Sequence, residues 1–137
     1  MTQKTKLRSS FAEAVADIPD GSTIAFGGFA MPGTPFNLIK ALMEQGARRL
    51  TLVANTTGGA QQPRMPDIGM LVENGQVAKV ICAFTAATRP TDKLPFTQYY
   101  ESGQVDAVVV LQGTLAERMR AAGAGIPAFY TPTPVCT

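Results

Sequence analysis

Residues 20–35, DGSTIAFGGFAMPGTP, decide the fold. The stretch leaves a turn at Pro19-Asp20-Gly21, crosses a short apolar run at 23–26 and enters a glycine-rich loop. Thr34 and Pro35 then supply the capping residue and the proline that commonly begin a helix. A strand followed directly by a loop and a helix is the first part of a βαβ unit, so we expect a mostly parallel sheet.

The rest of the chain repeats this alternation of short apolar runs and segments with helical periodicity. We predict helices that begin at Ser10 and at Pro35, further helices at 67–74 and 96–101, and a last helix from Thr114 to Gly123. We predict strands at 23–26, 50–54, 77–83, 105–111 and 127–130. The prediction is one α/β domain over residues 1–137, with an open, mostly parallel sheet and helices on both faces.

Several side chains in these elements have expected positions. Because 105–111 is nearly all apolar, we expect a central strand that is buried on both faces. Thr114-Leu115-Ala116-Glu117 has the spacing of a capping box, so Thr114 is the expected N-cap of the last helix. The second helix should end at Gly46. The apolar stripes of the first two helices are expected to bury Phe11, Ala14, Val15 and Ile18, and Leu38, Ile39, Leu42 and Met43.

Composition and charge exclude several classes of function. The net charge is +2, from 12 basic and 10 acidic residues spread along the chain, so no concentrated basic surface for nucleic acid is predicted. The chain has no histidine, which excludes Ser-His-Asp triads and His-ligated metals, and we predict no metal site. No apolar run is long enough to span a membrane, and no secretory signal is visible. Cys82 and Cys136 are the only cysteines, and a reduced, cytoplasmic location is expected.

Three loops carry the residues that are unusual for simple connections. They are 27–35, 55–59 and Gln112-Gly113, and each follows a predicted strand directly. Ligands of open parallel sheets bind beyond the carboxyl ends of the strands, so these loops converge on one site if their strands are neighbours. The glycine loop can also be only a tight strand-to-helix turn. It has neither the G-x-G-x-x-G spacing of a dinucleotide site nor the G-K-[ST] of a P-loop.

The stretch 20–35 resembles, position for position, the first signature of the α-type subunits of family I coenzyme A transferases, the 3-oxoacid, acetate and 3-oxoadipate enzymes. The runs 112–118, QGTLAER, and 122–133, AGAGIPAFYTPT, resemble a second block of the same kind of chain. The resemblance implies a NagB/RpiA/CoA transferase-like fold. It also implies a ping-pong transfer of CoA from an acyl-CoA to a small carboxylic or 3-oxo acid, with no permanently bound cofactor. The nucleophilic glutamate would lie on a β-type partner subunit.

The same resemblance assigns roles to residues of the three loops. Asn55 would donate its side-chain amide to the oxyanion, as tetrahedral intermediates require preorganised donors. The residues that would bind substrate or CoA are Gly27, Gly28, Phe29, Gly33, Gln112 and Gly113. Purely structural interpretations are a loop-capping role for Asn55 and a solvated turn for Gln112. Arg118 could serve a CoA phosphate or a structural ion pair, and Arg89 and Lys93 could also reach a ligand.

Glu73-Asn74-Gly75 superficially resembles the Glu-Asn-Gly motif that carries the nucleophile in β-type subunits. It lacks the preceding serine and falls where a helix ends, so we interpret Glu73 as solvated helix surface. The chain departs from the family pattern at Leu111, at Pro134 and Cys136, and in the loop 85–95. It also stops near the middle of a usual α-type subunit. The alternatives are therefore a catalytically silent truncated fragment or binding module with the α-subunit fold, or a stand-alone small-ligand domain.

Overall fold

In the computed structural model, described for residues 6–29, 31–59, 65–87, 89 and 91–133, four parallel strands form one open sheet. Their order in the sheet is their order in the chain. The predicted α/β class with an open parallel sheet is confirmed. The strands are β1 (Thr23–Ala25), β2 (Leu50–Ala54), β3 (Val77–Cys82) and β4 (Asp106–Val109).

Helices precede, connect and follow these strands. They are α1 (Phe11–Val15), α2 (Phe36–Gln45), α3 (Ile68–Glu73), α4 (Pro95–Glu101) and α5 (Gln112–Gly123). In the part of the chain that is described, none of them is long and apolar enough to cross a membrane. The β1-α2-β2, β2-α3-β3 and β3-α4-β4 connections bring the carboxyl ends of all the strands to one edge of the sheet.

The hydrophobic core lies between one face of the sheet and helices α2, α3 and α4. Leu52 of β2 and Val80 of β3 are register partners, and both are fully buried. Thr51, Val53 and Ile81 point to the other face and are only half-buried. The most buried large core side chains are Phe96, Ile39, Leu42, Leu50, Leu52, Leu71, Val72 and Val80.

Helix ends follow the local sequence signals in part. Ser10 caps α1 by accepting a hydrogen bond from the Glu13 N–H at 3.1 Å, and Gly46 ends α2 in the left-handed conformation, both as predicted. The N-cap of α2 is Pro35 rather than Thr34. Phe11 and Leu38, both predicted to be buried, are 54% and 37% exposed.

The predicted capping box at 114–117 is wrong. Helix α5 already begins at Gln112, two residues before Thr114, and its N-cap position is occupied by Leu111. Glu117 instead forms a salt bridge with Arg120 at 2.7 Å, one turn further along the helix. This hydrogen-bonded partner lowers the pKa of the Glu117 carboxyl.

The strand predictions fail at the C-terminal side. Within the described part of the chain β4 is the last strand of the sheet rather than a central one, and Val109 is 58% exposed. An apolar run shows that a segment favours a sheet, but its neighbours in space decide whether it lies at an edge. The predicted strand at 127–130 has no regular secondary structure and pairs with no strand of the described part.

Candidate functional site

A cavity of about 590 Å³ opens at the carboxyl ends of β1, β2 and β3. This is the edge at which open parallel sheets bind ligands, and the volume lies within the range of small-molecule sites. Its walls come from the loops after these strands and from Asp67 and Ile68 at the start of α3. Two of the three predicted loops therefore meet here, because β1 and β2 are neighbours.

The glycine loop after β1 folds back on itself. Gly28 has φ +112°, and a Cβ there would lie 2.8 Å from Thr34 Oγ1 and 3.0 Å from Thr34 N. Gly33, with φ +79°, packs against Gly28, since its Cβ would lie 3.3 Å from Gly28 Cα. The backbone therefore requires glycine at both positions for close packing. Gly27 and Gly28 line the cavity, and Gly33 supports them from behind.

Two aromatic side chains contact each other beside the cavity, and the ring of one of them, Phe84, belongs to a residue of the cavity wall. Phe29, at the end of the glycine loop, is 57% exposed, and its ring meets that of Phe84 edge to face with centroids 6.5 Å apart. Phe84 lies after β3 and lines the cavity. The two rings present apolar surface beside the glycine loop.

Asn55 follows β2 and lines the cavity between these loops. Its carbonyl oxygen accepts hydrogen bonds from the N–H groups of Ala83 at 3.1 Å and Phe84 at 3.3 Å, which fixes its backbone to the end of β3. Its side-chain amide is different. Neither Oδ1 nor Nδ2 is accessible to solvent, and neither has a hydrogen-bond partner among the described residues.

An unpartnered buried amide is costly, since each unsatisfied polar group loses about 1–3 kcal/mol of solvation. In native structures, such groups are accounted for by local strain, by a bound water or ion, or by a catalytic role. The interpretation of Asn55 as a mere loop cap would require its side chain to bond the loop, and no such bond is formed among the described residues.

Charged residues of the cavity wall include two that the sequence pattern did not single out. Asp67 is 5% exposed at the N-cap of α3, and Asp92 lies in the loop before α4. Arg89, whose carbonyl oxygen accepts a hydrogen bond from the Asp92 N–H at 3.0 Å, is also in this wall. The N-cap position before an apolar run was the available signal for Asp67, but it indicates only a helix start.

The comparisons with known proteins decide the family. The family model described as Coenzyme A transferase matches residues 8–137. The chain belongs to the coenzyme A transferase family. The resemblance carried by 20–35 and by the second block is thus confirmed.

Relatives of this coenzyme A transferase chain include proteins that are named as single subunits of their enzymes. It is 44% identical over 130 residues to a 3-oxoadipate CoA-transferase subunit of Pseudomonas putida, covering 93% of this chain and 52% of the relative. It is 42% identical over 134 residues to the alpha subunit of acetate CoA-transferase of Escherichia coli (strain K12), covering 98% of this chain and 56% of the relative. The chain spans about half the length of these curated relatives.

Solved structures share the fold of the transferase chain. A variant of the decarboxylase AibA/AibB aligns with a TM-score of 0.70 and 30% identity, over 86% of this chain and 44% of that one. Glutaconate coenzyme A-transferase from Acidaminococcus fermentans aligns with a TM-score of 0.74 and 23% identity, over 93% of this chain and 39% of that one. The second likeness shows the fold alone.

The third predicted loop of the transferase chain lies apart from the other two. Gln112 and Gly113 begin α5 after β4, and β3 separates β4 from β2. They are not among the described residues that line the large cavity. A second cavity of about 390 Å³ lies between α5 and residues 126–131, with Thr114 and Arg118 in its wall.

Two other residues considered in the sequence analysis, Glu73 and Cys82, do not line the large cavity. Glu73 is exposed at the C-terminal end of α3, whereas the cavity is at the N-terminal end of that helix. Cys82 is fully buried in β3, and burial raises the pKa of its thiol. A buried, protonated thiol is a poor nucleophile. Cys136 and Pro134 lie outside the described residues.

Proposed function

We propose that this chain is the acyl-pocket half of a coenzyme A transferase that moves CoA from an acyl-CoA to a small carboxylic or 3-oxo acid. The observation that carries the proposal is made at Asn55, which lines the cavity at the carboxyl edge of the sheet and whose side-chain amide is buried and unpartnered among the described residues. Asn55 donates the hydrogen bond that stabilises the oxyanion.

The chemistry requires such a donor. When a carboxylate attacks the thioester carbon, the carbonyl oxygen gains negative charge, and an amide N–H supplies a preorganised positive dipole without titrating. Collapse of this intermediate expels the CoA thiolate and leaves an acyl anhydride. The thiolate then attacks the other carbonyl of the anhydride, which releases the first acid and leaves a glutamyl-CoA thioester. The acceptor acid reverses these steps.

The nucleophilic glutamate comes from a β-type partner subunit in this proposal. The carboxylates that the described residues contribute to the cavity wall belong to Asp67 and Asp92. Asp67 is occupied, because it accepts hydrogen bonds from the N–H groups of Gly59 and Met70. The relatives from Pseudomonas putida and Escherichia coli are each named as one subunit of an enzyme, which supports an assembly of unlike chains. We therefore expect little or no transfer by the chain alone.

The cavity suits a short acyl group, and we further propose that this group carries a second carboxylate. The volume of about 590 Å³ accommodates an acyl chain of a few carbon atoms. Arg89 in the wall offers a guanidinium, which binds carboxylates in a bidentate manner. Several relatives are named for 3-oxoadipate or succinyl-CoA; 3-oxoadipate is a dicarboxylate, and the succinyl group keeps one free carboxylate beside its thioester.

A chimeric enzyme tests the role of Asn55. Residues 8–137 replace the matching half of the Pseudomonas putida relative, and the chimera is co-expressed with the second chain of that enzyme. Transfer of CoA between succinyl-CoA and a 3-oxo acid is then measured. We expect Asn55→Ala to lower kcat by about 10²–10³-fold, the loss typical of one oxyanion donor.

The matched control is Asn37→Ala, which removes an exposed amide from the surface of α2 and should leave kcat within about twofold. A kcat of Asn55→Ala close to that of the control would refute the assigned role. If the folded assembly transfers no CoA at all, the alternative of a catalytically silent fragment is favoured. The same samples are analysed for a decarboxylated product, because the AibA/AibB neighbour is named as a decarboxylase.

A further inference from the structure

We infer that Asp67 is a positioning residue for the oxyanion donor: its carboxylate fastens the loop 55–59 to helix α3 and so holds the Asn55 amide at the cavity. The inference rests on the proposed role of Asn55. In this inference Asp67 does not contact the reacting atoms. It fixes the position of the Asn55 amide, which does contact them.

The two carboxylate oxygens of Asp67 act on two different elements. Oδ1 accepts a hydrogen bond from the Met70 N–H at 3.2 Å, which caps α3. Oδ2 accepts a hydrogen bond from the Gly59 N–H at 2.8 Å, which reaches eight residues back into the loop after β2. A carboxylate that only capped the helix would not need the second contact. The side chain therefore joins the loop to the helix.

Backbone packing at the same place leaves the loop little room to move. Gly58 has φ +107°, and a Cβ on it would lie 2.8 Å from Gly69 N and 3.2 Å from Asp67 Oδ1. The loop thus contacts the first turn of α3 backbone to backbone, and only glycine fits. Gly69 is itself buried. The Gly58–Gly69 contact and the hydrogen bond from Gly59 to Asp67 therefore hold the same loop segment against α3.

The opposite end of the loop is fixed independently. The Asn55 carbonyl oxygen accepts hydrogen bonds from the N–H groups of Ala83 and Phe84, at the end of β3. Asn55 is therefore held on the strand side by β3 and on the loop side, four residues later, by Asp67. Its side chain, with no hydrogen bond of its own among the described residues, takes its position from these two attachments. Release of either one lets the amide move away from the oxyanion.

The size of the effect follows from the geometry that catalysis needs. A displacement of about 1 Å at a catalytic group can reduce the rate by about a hundredfold. Loss of the Asp67 clamp should therefore lower kcat by roughly 10- to 100-fold. The KM for the acid should change less than about threefold, because the hydrogen bonds of Asp67 to Gly59 and Met70 act on the loop after β2 and on α3, whereas Arg89 and Phe84 lie in the loop after β3.

Two variants separate the clamp from the helix cap. Asp67→Asn keeps an oxygen that can cap α3, but its amide nitrogen cannot accept the bond from Gly59. Gly58→Ala keeps the carboxylate and pushes the loop away from α3 by steric contact. The matched control is Ser10→Ala, which removes the N-cap of α1, remote from the cavity. It should reduce stability as a lost cap does and leave kcat unchanged.

The experiment has two readouts. Amide hydrogen exchange of the full chain, resolved by NMR, should show Gly59 exchanging at least about tenfold faster in Asp67→Asn, with Leu52 of β2 unchanged. For the second readout, this chain is joined to the second half of an α-type chain and paired with a β-type partner. Steady-state kinetics of this assembled enzyme should show the drop in kcat in Asp67→Asn and Gly58→Ala and not in Ser10→Ala.

Unchanged exchange at Gly59 in Asp67→Asn would overturn the inference, and so would faster exchange at Gly59 with a kcat equal to that of Ser10→Ala. Failure of the proposed function looks different, because the wild-type assembly would then transfer no CoA. In that case two NMR measurements on Asp67→Asn still decide whether Asp67 holds the loop. They are the exchange rate of the Gly59 amide and the chemical shift of the Asn55 side-chain amide, each compared with the wild type. An unshifted amide resonance would overturn it.

Discussion

Gln76 is a heavily bonded buried side chain outside the cavity, and it joins α2 to the sheet. It is 1% exposed just before β3. Its Nε2 donates hydrogen bonds to the carbonyl oxygens of Leu42 at 3.0 Å and Ala47 at 2.9 Å, and its Oε1 accepts one from Asn74 Nδ2 at 2.8 Å. The amide thus satisfies backbone oxygens where α2 ends, which water cannot reach.

Gln76→Leu should therefore lower the free energy of unfolding by about 1–3 kcal/mol, because it leaves the Ala47 carbonyl oxygen without a donor among the described residues, whereas that of Leu42 keeps the Gly46 N–H. Urea unfolding followed by circular dichroism measures the change. Gln98→Leu, at an exposed position of α4, is the matched control and should stay within about 0.5 kcal/mol. Equal midpoints for the two variants would show that water or a rearranged side chain replaces the Gln76 amide.

At the level of single residues, the sequence could predict the site only in part. Asn55 and Gly28 are predictable because they follow strands directly, and the carboxyl edge of a parallel sheet is fixed by topology. Asp67 is not predictable as part of the site. Its second contact depends on where the loop 55–59 turns back in space, and no local pattern records that distance. Gln112 would join the others only if β4 neighboured their strands, and β3 lies between.

At the level of elements, β4 illustrates the limit of a hydrophobic pattern. The apolar run 105–111 around it predicts a central strand. Among the described residues, however, β3 lies between two strands and β4 pairs with β3 alone. Val80 of β3 is fully buried, and Val109 of β4 is 58% exposed. The helix end at Gly46 was predictable, because the positive φ there is a property of the residue itself. An edge position is a property of the whole sheet.

The contrast between these two strands gives a matched pair of variants. Val80→Thr keeps the shape of the side chain but replaces a methyl group in the core with a hydroxyl, and it should lower the free energy of unfolding by about 1–3 kcal/mol. Val109→Thr puts the same hydroxyl in contact with water and should change it by less than about 0.5 kcal/mol. Urea unfolding of this chain measures both. A similar loss in both variants would mean that Val109 is covered in solution and that β4 is not an edge.

At the level of the whole molecule, the order of the strands explains what was predictable about the function. Neighbouring strands that run in the same direction place the glycine loop, Asn55 and Phe84 side by side. This convergence needs only the βαβ pattern and the positions of the strand ends. The charged residues Arg89 and Asp92 of the cavity wall come from a loop without periodicity. The sequence therefore indicated that Arg89 could reach a ligand, but it gave no reason to prefer Arg89 over Lys93.

Arg89 provides the last prediction, which concerns the choice of substrate in the assembled enzyme. A guanidinium that pairs with the second carboxylate of the acyl group contributes a charge-assisted hydrogen bond. Arg89→Gln should therefore lower kcat/KM for succinyl-CoA by roughly 10- to 100-fold, and for acetyl-CoA by less than about threefold.

The discriminating quantity is the ratio of the two kcat/KM values, measured on the same enzyme preparation, because a general loss of folding or assembly lowers both equally. Lys40→Gln, which removes an exposed charge from α2, controls for the effect of net charge on anionic substrates and should leave the ratio unchanged. If Arg89→Gln also leaves the ratio unchanged, the second carboxylate does not bind at this wall, and the selectivity of the pocket is set by the apolar surface of Phe29 and Phe84 instead.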